Sequence, residues 1–209
     1  MTSYPTAKWV LDKASSAALL VLLSPVFAFL FVAMGLEMLL RPCDRGPWLY
    51  RERRISRGRE FELLKFRTLR RAALAGMDPT SHARMLEADE GNLTWAGRRL
   101  LKPWYLDELP QLWNVVRGDM SLVGPRPWPL PMVANQVAQG LMYRNEFVAG
   151  WTGPVQVEKG ITEPADYQQL DVAYVRACRE DRAATIVRRD LGLLWRTMRV
   201  LARGEGLRF

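Results

Sequence analysis

A chain of 209 residues has room for one core-forming domain with an appendage and needs no covalent staples to fold. Its two cysteines, Cys43 and Cys178, and its single histidine, His82, argue against a disulfide framework and against a metal centre built from His and Cys. A formal net charge of +8 calls for an acidic partner, whether nucleic acid, anionic lipid head groups or a phosphorylated small molecule.

From Ala14 to Leu36 no residue is charged, and about 20 apolar residues suffice for a helix to cross a bilayer. The segment predicts membrane attachment. It exceeds the core of a cleaved signal peptide, about 7 to 15 residues, and no small-x-small cleavage site follows it. Ser24-Pro25 lies near its middle, where proline removes a backbone donor and frees the Val21 carbonyl. The Ser24 hydroxyl can bond a freed carbonyl at that depth. Each half is then about 16 Å long, roughly half the hydrocarbon thickness. Lys8 and Lys13 precede the segment, while Arg41, Arg45, Arg51, Arg53 and Arg54 follow it. The positive-inside rule places both flanks on the cytoplasmic side. A re-entrant helix-break-helix satisfies both, and a kinked spanning helix is the alternative that the residues alone leave open.

Next, Trp48-Leu-Tyr and Phe61 to Leu69 carry aromatic and apolar residues suited to short strands, joined by a turn within Arg53 to Arg59. A small β-hairpin is expected. Residues 72–92 read as a surface loop with a short helix, holding a solvated His82 and an acidic patch at Glu87, Asp89 and Glu90. A helix is expected over Pro110 to Val116, with Asp107 or Glu108 near its start and Gly118 ending it. Pro125-Arg126-Pro127 and Pro129 then enforce a rigid, non-helical turn. Asp171 to Ala202 has helical spacing of apolar residues with arginines between, including Arg176, Arg179, Arg188, Arg189 and Arg196. Such a stretch suits an anionic membrane surface, or packing on the domain with a solvated Arg face.

The acidic pair Asp107-Glu108 is unusual in so basic a chain. A carboxylate at a helix N-terminus is an ordinary cap, which accounts for Asp107 but not for Glu108 or for the surrounding Lys102, Arg117, Asp119 and Arg126. Helix N-termini, Lys and Arg together make an anion site. A site that holds both phosphate and carboxylate needs a cation between them, and Mg2+ takes one or two carboxylates plus phosphate oxygens. An aspartate so placed can attack phosphorus and form an acyl phosphate. Glycosidase carboxylates instead stand about 5 Å or more apart across the sugar, which suits adjacent residues poorly.

Lys65-Phe-Arg-Thr-Leu69 and the long run from Leu106-Asp-Glu-Leu-Pro through Gly124-Pro-Arg-Pro127 closely resemble the bacterial sugar transferase family, the monotopic phosphoglycosyl transferases. The resemblance extends from Lys8 to the closing Val200-Leu-Ala-Arg-Gly-Glu-Gly206. It implies transfer of a sugar 1-phosphate from a UDP-sugar to a membrane polyprenol phosphate at the cytoplasmic face, initiating bacterial glycan assembly. On that likeness Asp107 attacks the β-phosphate, releases UMP and carries a covalent phosphosugar, while Glu108 holds Mg2+. The family's re-entrant membrane helix breaks at a Ser-Pro pair, which falls on Ser24 and Pro25. Lys65, Arg67, Lys102, Arg126 and Gln156 match positions expected near phosphate or nucleotide, and Asp119 matches a motif acid of undefined role. The alternative for Arg67 and Arg126 is to bond loop carbonyls, and for Asp119 to pair with Arg117.

The likeness implies an α+β fold, mainly helical: a re-entrant anchor over residues 1–41, then a catalytic domain over 42–209 with a β-hairpin and amphipathic interfacial helices. It implies location on the cytoplasmic face of the inner membrane, contact with anionic lipids and no nucleic-acid partner, and leaves a homodimer open. Three departures bear on substrate choice. Lys102 stands where the family commonly has Arg, and supplies a point charge without the bidentate fork. Ala149-Gly-Trp-Thr-Gly153 replaces Pro-Gly-Ile-Thr-Gly, with Lys159 as the basic residue after Gln156. The C-terminal stretch is richer in Arg. A catalytically silent membrane adaptor of the same fold is the alternative function.

Overall fold

The computed structural model describes residues 6–76, 83–158 and 166–202; His82, Lys159 and the closing Gly204-Glu205-Gly206 lie outside the described residues. The architecture is mainly helical with a small β-hairpin. Helices α1 (Thr6–Leu22) and α2 (Ser24–Leu40) meet at Leu23, with Pro25 in the first turn of α2, where its missing N–H costs little. The pair is bent by 56°. Among the described residues no single helix is long and apolar enough to cross a membrane, although the bent pair together has the length and composition.

The hairpin pairs β1 (Leu49–Ser56) with β2 (Arg59–Phe66). Its turn is only Arg57-Gly58, both at positive φ (51° and 72°), the backbone that matches the twist of a two-residue hairpin. The strands therefore run further toward each other than the expected Arg53 to Arg59 turn allowed. Short helices α3 (Arg71–Ala75) and α4 (Ala83–Glu87) follow. Beyond them come α5 (Gln111–Arg117), β3 (Ser121–Val123), α6 (Leu130–Ala138), α7 (Tyr143–Glu146), β4 (Gly150–Thr152) and α8 (Pro154–Glu158). The expected single C-terminal helix is two, α9 (Tyr167–Glu180) and α10 (Ala183–Ala202). Asp181 turns extended (ψ 157°), and the Arg182 carbonyl accepts the Thr185 and Ile186 amides that open α10.

Contacts divide the chain into two compact units. One draws on Met1–Leu20, Glu52–Leu63 and Gln111–Val200, and the other on Val21–Arg51, Leu64–Pro110 and Leu201–Phe209. In the first, β3 and β4 pair in parallel, Ser121 opposite Gly150 and Val123 opposite Thr152. A Cβ on Gly150 would lie 2.1 Å from the Gly124 nitrogen, so the strands approach only because this position has no side chain. Gly150→Ala is expected to lower stability by about 2 to 3 kcal/mol, seen as a depressed melting temperature, because backbone must move to admit the methyl. An unchanged melting temperature would contradict that close approach.

The same unit contains a buried ionic lock. Lys8, 1% exposed, sits 3.2 Å from Asp12 and 2.5 Å from Asp190. Ser121 Oγ donates to Asp12 at 2.5 Å and Tyr174 Oη donates to Asp190 at 2.8 Å. Lys8, one of the basic residues that flank the apolar segment in the sequence, is thus buried between two carboxylates of this unit. Lys13 lies over the Trp9 ring, 3.8 Å from its centroid. The C-terminal arginines are also partnered: Arg179 with Glu146, Arg189 with Asp181 and Arg196 with Glu158. An exposed apolar stripe of Leu191, Trp195 and Met198 remains on α10.

In the second unit, Leu30 and Met34 of α2 pack with Phe66, Ala96, Leu101 and Leu109. Phe31 stands edge-on to Phe66 and Trp48, with centroids 5.5 and 5.3 Å apart. Burying Leu30, Phe66 and Leu101 stabilises the unit by about 1.5 to 3 kcal/mol for each side chain. The opposite side of α2 leaves Phe29, Val32, Leu36, Leu39 and Leu40 exposed.

Candidate active site

The second unit builds the acidic pair from a helix turn and a strained residue. Trp95 and Ala96 open a helical stretch that widens into a π turn over Gly97–Leu101 and ends at Lys102, whose N–H reaches the Gly97 carbonyl at 3.0 Å. Gly97 is obligatory, since a Cβ there would lie 2.4 Å from the Thr68 carbonyl oxygen. The first amides of this stretch are capped by the buried Glu37 of α2, whose two oxygens accept from Trp95 N–H at 2.5 Å and Ala96 N–H at 2.9 Å. Tyr105 then turns left-handed (φ 53°), a conformation costing a non-glycine residue about 1 kcal/mol or more. It leads into a single 3-10 turn, Leu106–Glu108.

Asp107 lies inside that turn and does not cap α5, which starts at Gln111. It is 1% exposed. Its Oδ2 accepts from Lys102 Nζ at 2.9 Å, while Oδ1 is buried and has no hydrogen-bond partner among the described residues. Lys102 is shared, because its Nζ lies 2.7 Å from Glu87 Oε2. Glu87 Oε1 in turn accepts from Thr68 Oγ1 at 2.7 Å. Glu87 belongs to the sequence's acidic surface patch, yet its side chain is only 15% exposed. Neither it nor Glu37 carries a local signal of a role: each meets its partner across a long stretch of chain.

Burial pushes the Asp107 carboxyl above the ordinary aspartate range; Lys102 opposes this, the Glu108 charge adds to it and Lys65 opposes it. Burial also works against the Lys102 charge, but Asp107 and Glu87 outweigh it and hold the ammonium above its usual value. For Glu87 burial again raises, and the charge and hydrogen bond of Lys102, with the Thr68 hydroxyl, bring the carboxyl to a net value below the ordinary range. Lys102 and Glu87 are therefore the firmly charged pair, and Asp107 the desolvated carboxylate beside them.

Lys65, Lys102, Asp107 and Glu108 thus belong to one electrostatic cluster. Arg67 shares their unit but spends its guanidinium on backbone: Nε on the Pro47 carbonyl, Nη1 on Leu69 and Nη2 on Asp44, at 2.7 to 2.9 Å. Bracing a loop is the geometry seen for it. Asp119, Arg126 and Gln156 fall in the other unit. Asp119 accepts from Asn114 Nδ2 at 3.0 Å and pairs with Arg117 at 3.4 Å, just past the αL Gly118 that ends α5. The Arg126 carbonyl accepts from Arg144, which is held by Asp171 at 2.5 Å and lies over the Trp128 ring. Both side-chain amide atoms of Gln156 are buried without a hydrogen-bond partner among the described residues. Ser24 and Pro25 open α2 at the helix break.

A desolvated aspartate with one oxygen held by an ammonium and the other unoccupied by any donor is suited to nucleophilic attack on a phosphate. The sequence profile of the bacterial sugar transferases matches residues 3–204. The chain belongs to the bacterial sugar transferase family. A relative from Caulobacter vibrioides, UDP-glucose:undecaprenyl-phosphate glucose-1-phosphate transferase, is 34% identical over 201 residues, covering 94% of this chain and 67% of that protein. The undecaprenyl-phosphate glucose phosphotransferase of Komagataeibacter xylinus is 32% identical over 76% of this chain and 28% of its own length. The undecaprenyl-phosphate galactose phosphotransferase of Salmonella typhimurium is 30% identical over 95% and 41%. This sugar transferase chain spans about two thirds of the first relative's length and less than half of the other two.

The acidic residues of this sugar transferase also bear on Mg2+. Among the described residues no three His, Cys, Asp or Glu side chains converge as a metal site.

Proposed function

We propose that this sugar transferase moves a sugar 1-phosphate from a UDP-sugar to a polyprenol phosphate through a covalent Asp107 intermediate. The observation that carries this reading is the buried Asp107 carboxylate, held by Lys102 through Oδ2 and unpartnered at Oδ1 among the described residues. An Asp107 oxygen forms a bond to the β-phosphorus of the UDP-sugar, and the bond from that phosphorus to the bridging oxygen breaks. UMP leaves with the electron pair. An oxygen of the polyprenol phosphate then attacks the same phosphorus, and the Asp107 carboxylate departs as the leaving group. The product is a polyprenyl diphosphate sugar.

Glu108 is the residue that would hold Mg2+, which when bound neutralises diphosphate charge. Lys102 and Lys65 supply fixed positive charge where phosphate oxygens gather. Residues 1–41 seat the chain in the bacterial inner membrane as a re-entrant helix pair, with 42–209 against the cytoplasmic face. The 56° bend, the exposed apolar side of α2 and the Leu191, Trp195 and Met198 stripe support that placement. The names of the relatives support a UDP-sugar donor and undecaprenyl phosphate as acceptor.

Incubating the purified protein with a panel of UDP-sugars, Mg2+ and no acceptor should release UMP and add one sugar-phosphate mass to the protein. Adding undecaprenyl phosphate should discharge it. Steady turnover with no mass added in single-turnover samples would rule out the covalent route.

A further inference from the structure

Lys102 is not a lysine serving one carboxylate. Its Nζ stands 2.9 Å from Asp107 Oδ2 and 2.7 Å from Glu87 Oε2, and these acids approach from separate segments of chain. Glu87 is itself fixed, since its other oxygen accepts the Thr68 hydroxyl. Thr68 is 4% exposed, and its carbonyl receives both the Thr94 amide and the Thr94 hydroxyl, at 2.8 and 3.1 Å. The order Thr94, Thr68, Glu87, Lys102, Asp107 is therefore a continuous chain of hydrogen bonds from buried backbone to the nucleophile.

We propose that Glu87 is a positioning residue that holds the Lys102 ammonium in place through both chemical states of Asp107. The inference rests on the covalent route above. While Asp107 is a free carboxylate, Glu87 shares the ammonium, so the lysine does not collapse onto the nucleophile and quench it. When Asp107 becomes an acyl phosphate its carboxyl oxygens lose their negative charge, and Lys102 loses one of its two anionic partners. Glu87 retains the ammonium beside the phosphorus. There it faces the charge that builds when the acceptor attacks.

The same geometry gives a reason for lysine at this position. An ammonium offers three diverging, rotatable donors on a flexible stem and can hold two carboxylates from different directions, whereas guanidinium donors are fixed in one plane.

The test measures Glu87→Gln, Lys102→Met and the double variant in detergent with undecaprenyl phosphate and the UDP-sugar the wild type uses. Glu87→Gln should lower kcat by about 10- to 100-fold, because misplacing a group at the reacting centre costs that much, while KM for the UDP-sugar stays within about threefold. UMP release without acceptor should slow as well. If Glu87 acts through Lys102, the double variant loses no more than Lys102→Met alone. Wild-type kcat in Glu87→Gln, or losses that add in the double variant, would overturn the proposal. Should Glu87→Gln not fold, Thr68→Val removes only the orienting hydroxyl; it should lower kcat at least about threefold, and a wild-type kcat overturns the proposal. A wild-type protein that releases UMP from no UDP-sugar overturns the transfer reaction itself, whereas normal wild-type turnover with an indifferent Glu87→Gln overturns only the role of Glu87.

Discussion

Asp107→Asn is expected to abolish turnover, by roughly 10^3-fold or more, with no sugar-phosphate mass appearing on the protein. The amide keeps the shape of the side chain but is a far poorer nucleophile toward phosphorus. It also loses the charge that pairs with Lys102 at 2.9 Å. Because the turn holding Asp107 is fixed by Tyr105 and by the packing of Leu109 and Leu101, the variant should fold. Its melting curve provides the control. Glu108→Gln should be nearly as severe, and the double variant little worse than either, since both groups act on one step. An Asn variant that labels and turns over would remove Asp107 from the chemistry.

The largest expected effect on stability comes from a residue far from that turn in sequence. Lys8→Met leaves Asp12 and Asp190 buried without the cation between them. Removing one partner of a buried ion pair costs about 3 to 5 kcal/mol, because the remaining charge is desolvated and uncompensated. For a chain of this size that corresponds to a fall of roughly 10 °C in melting temperature. Asp190→Asn in the same chain should recover part of the loss, since one of the two stranded carboxylates is then gone. A Lys8→Met protein that melts with the wild type would show that Lys8 lies outside the core.

These two residues illustrate what the sequence makes legible. Asp107 and Glu108 stand out because they are adjacent in a dense motif, so local chemistry is enough to single them out. The hairpin is legible for a similar reason, with aromatic and apolar runs on either side of a turn signal. Lys8 reads as a flank of an apolar segment because its partner Asp190 is 182 positions away, and no periodicity links them. Glu87 reads as surface because Asp89 and Glu90 beside it are exposed, while its own side chain turns inward to Thr68 and Lys102. The break between α9 and α10 is hidden in a run with helical apolar spacing; only Asp181, which turns extended, and Arg182 separate them. Arg67 carries both of the readings its sequence offers. Its neighbourhood in the motif suggests phosphate, and its guanidinium is found on three carbonyls.

The link between Lys8 and Asp190 also has a temporal side. A ribosome delivers the first helix long before the last, and at about 5 to 20 residues per second the partner arrives roughly 10 to 40 s after Lys8. Ser121, which donates to Asp12, also emerges well after it. During that interval the nascent helix α1 carries charges whose native partners do not yet exist, so native burial of its polar face must wait for Asp190, 182 positions further on. A translation product that stops short of Asp190 cannot complete this core, which makes α10 a checkpoint for α1.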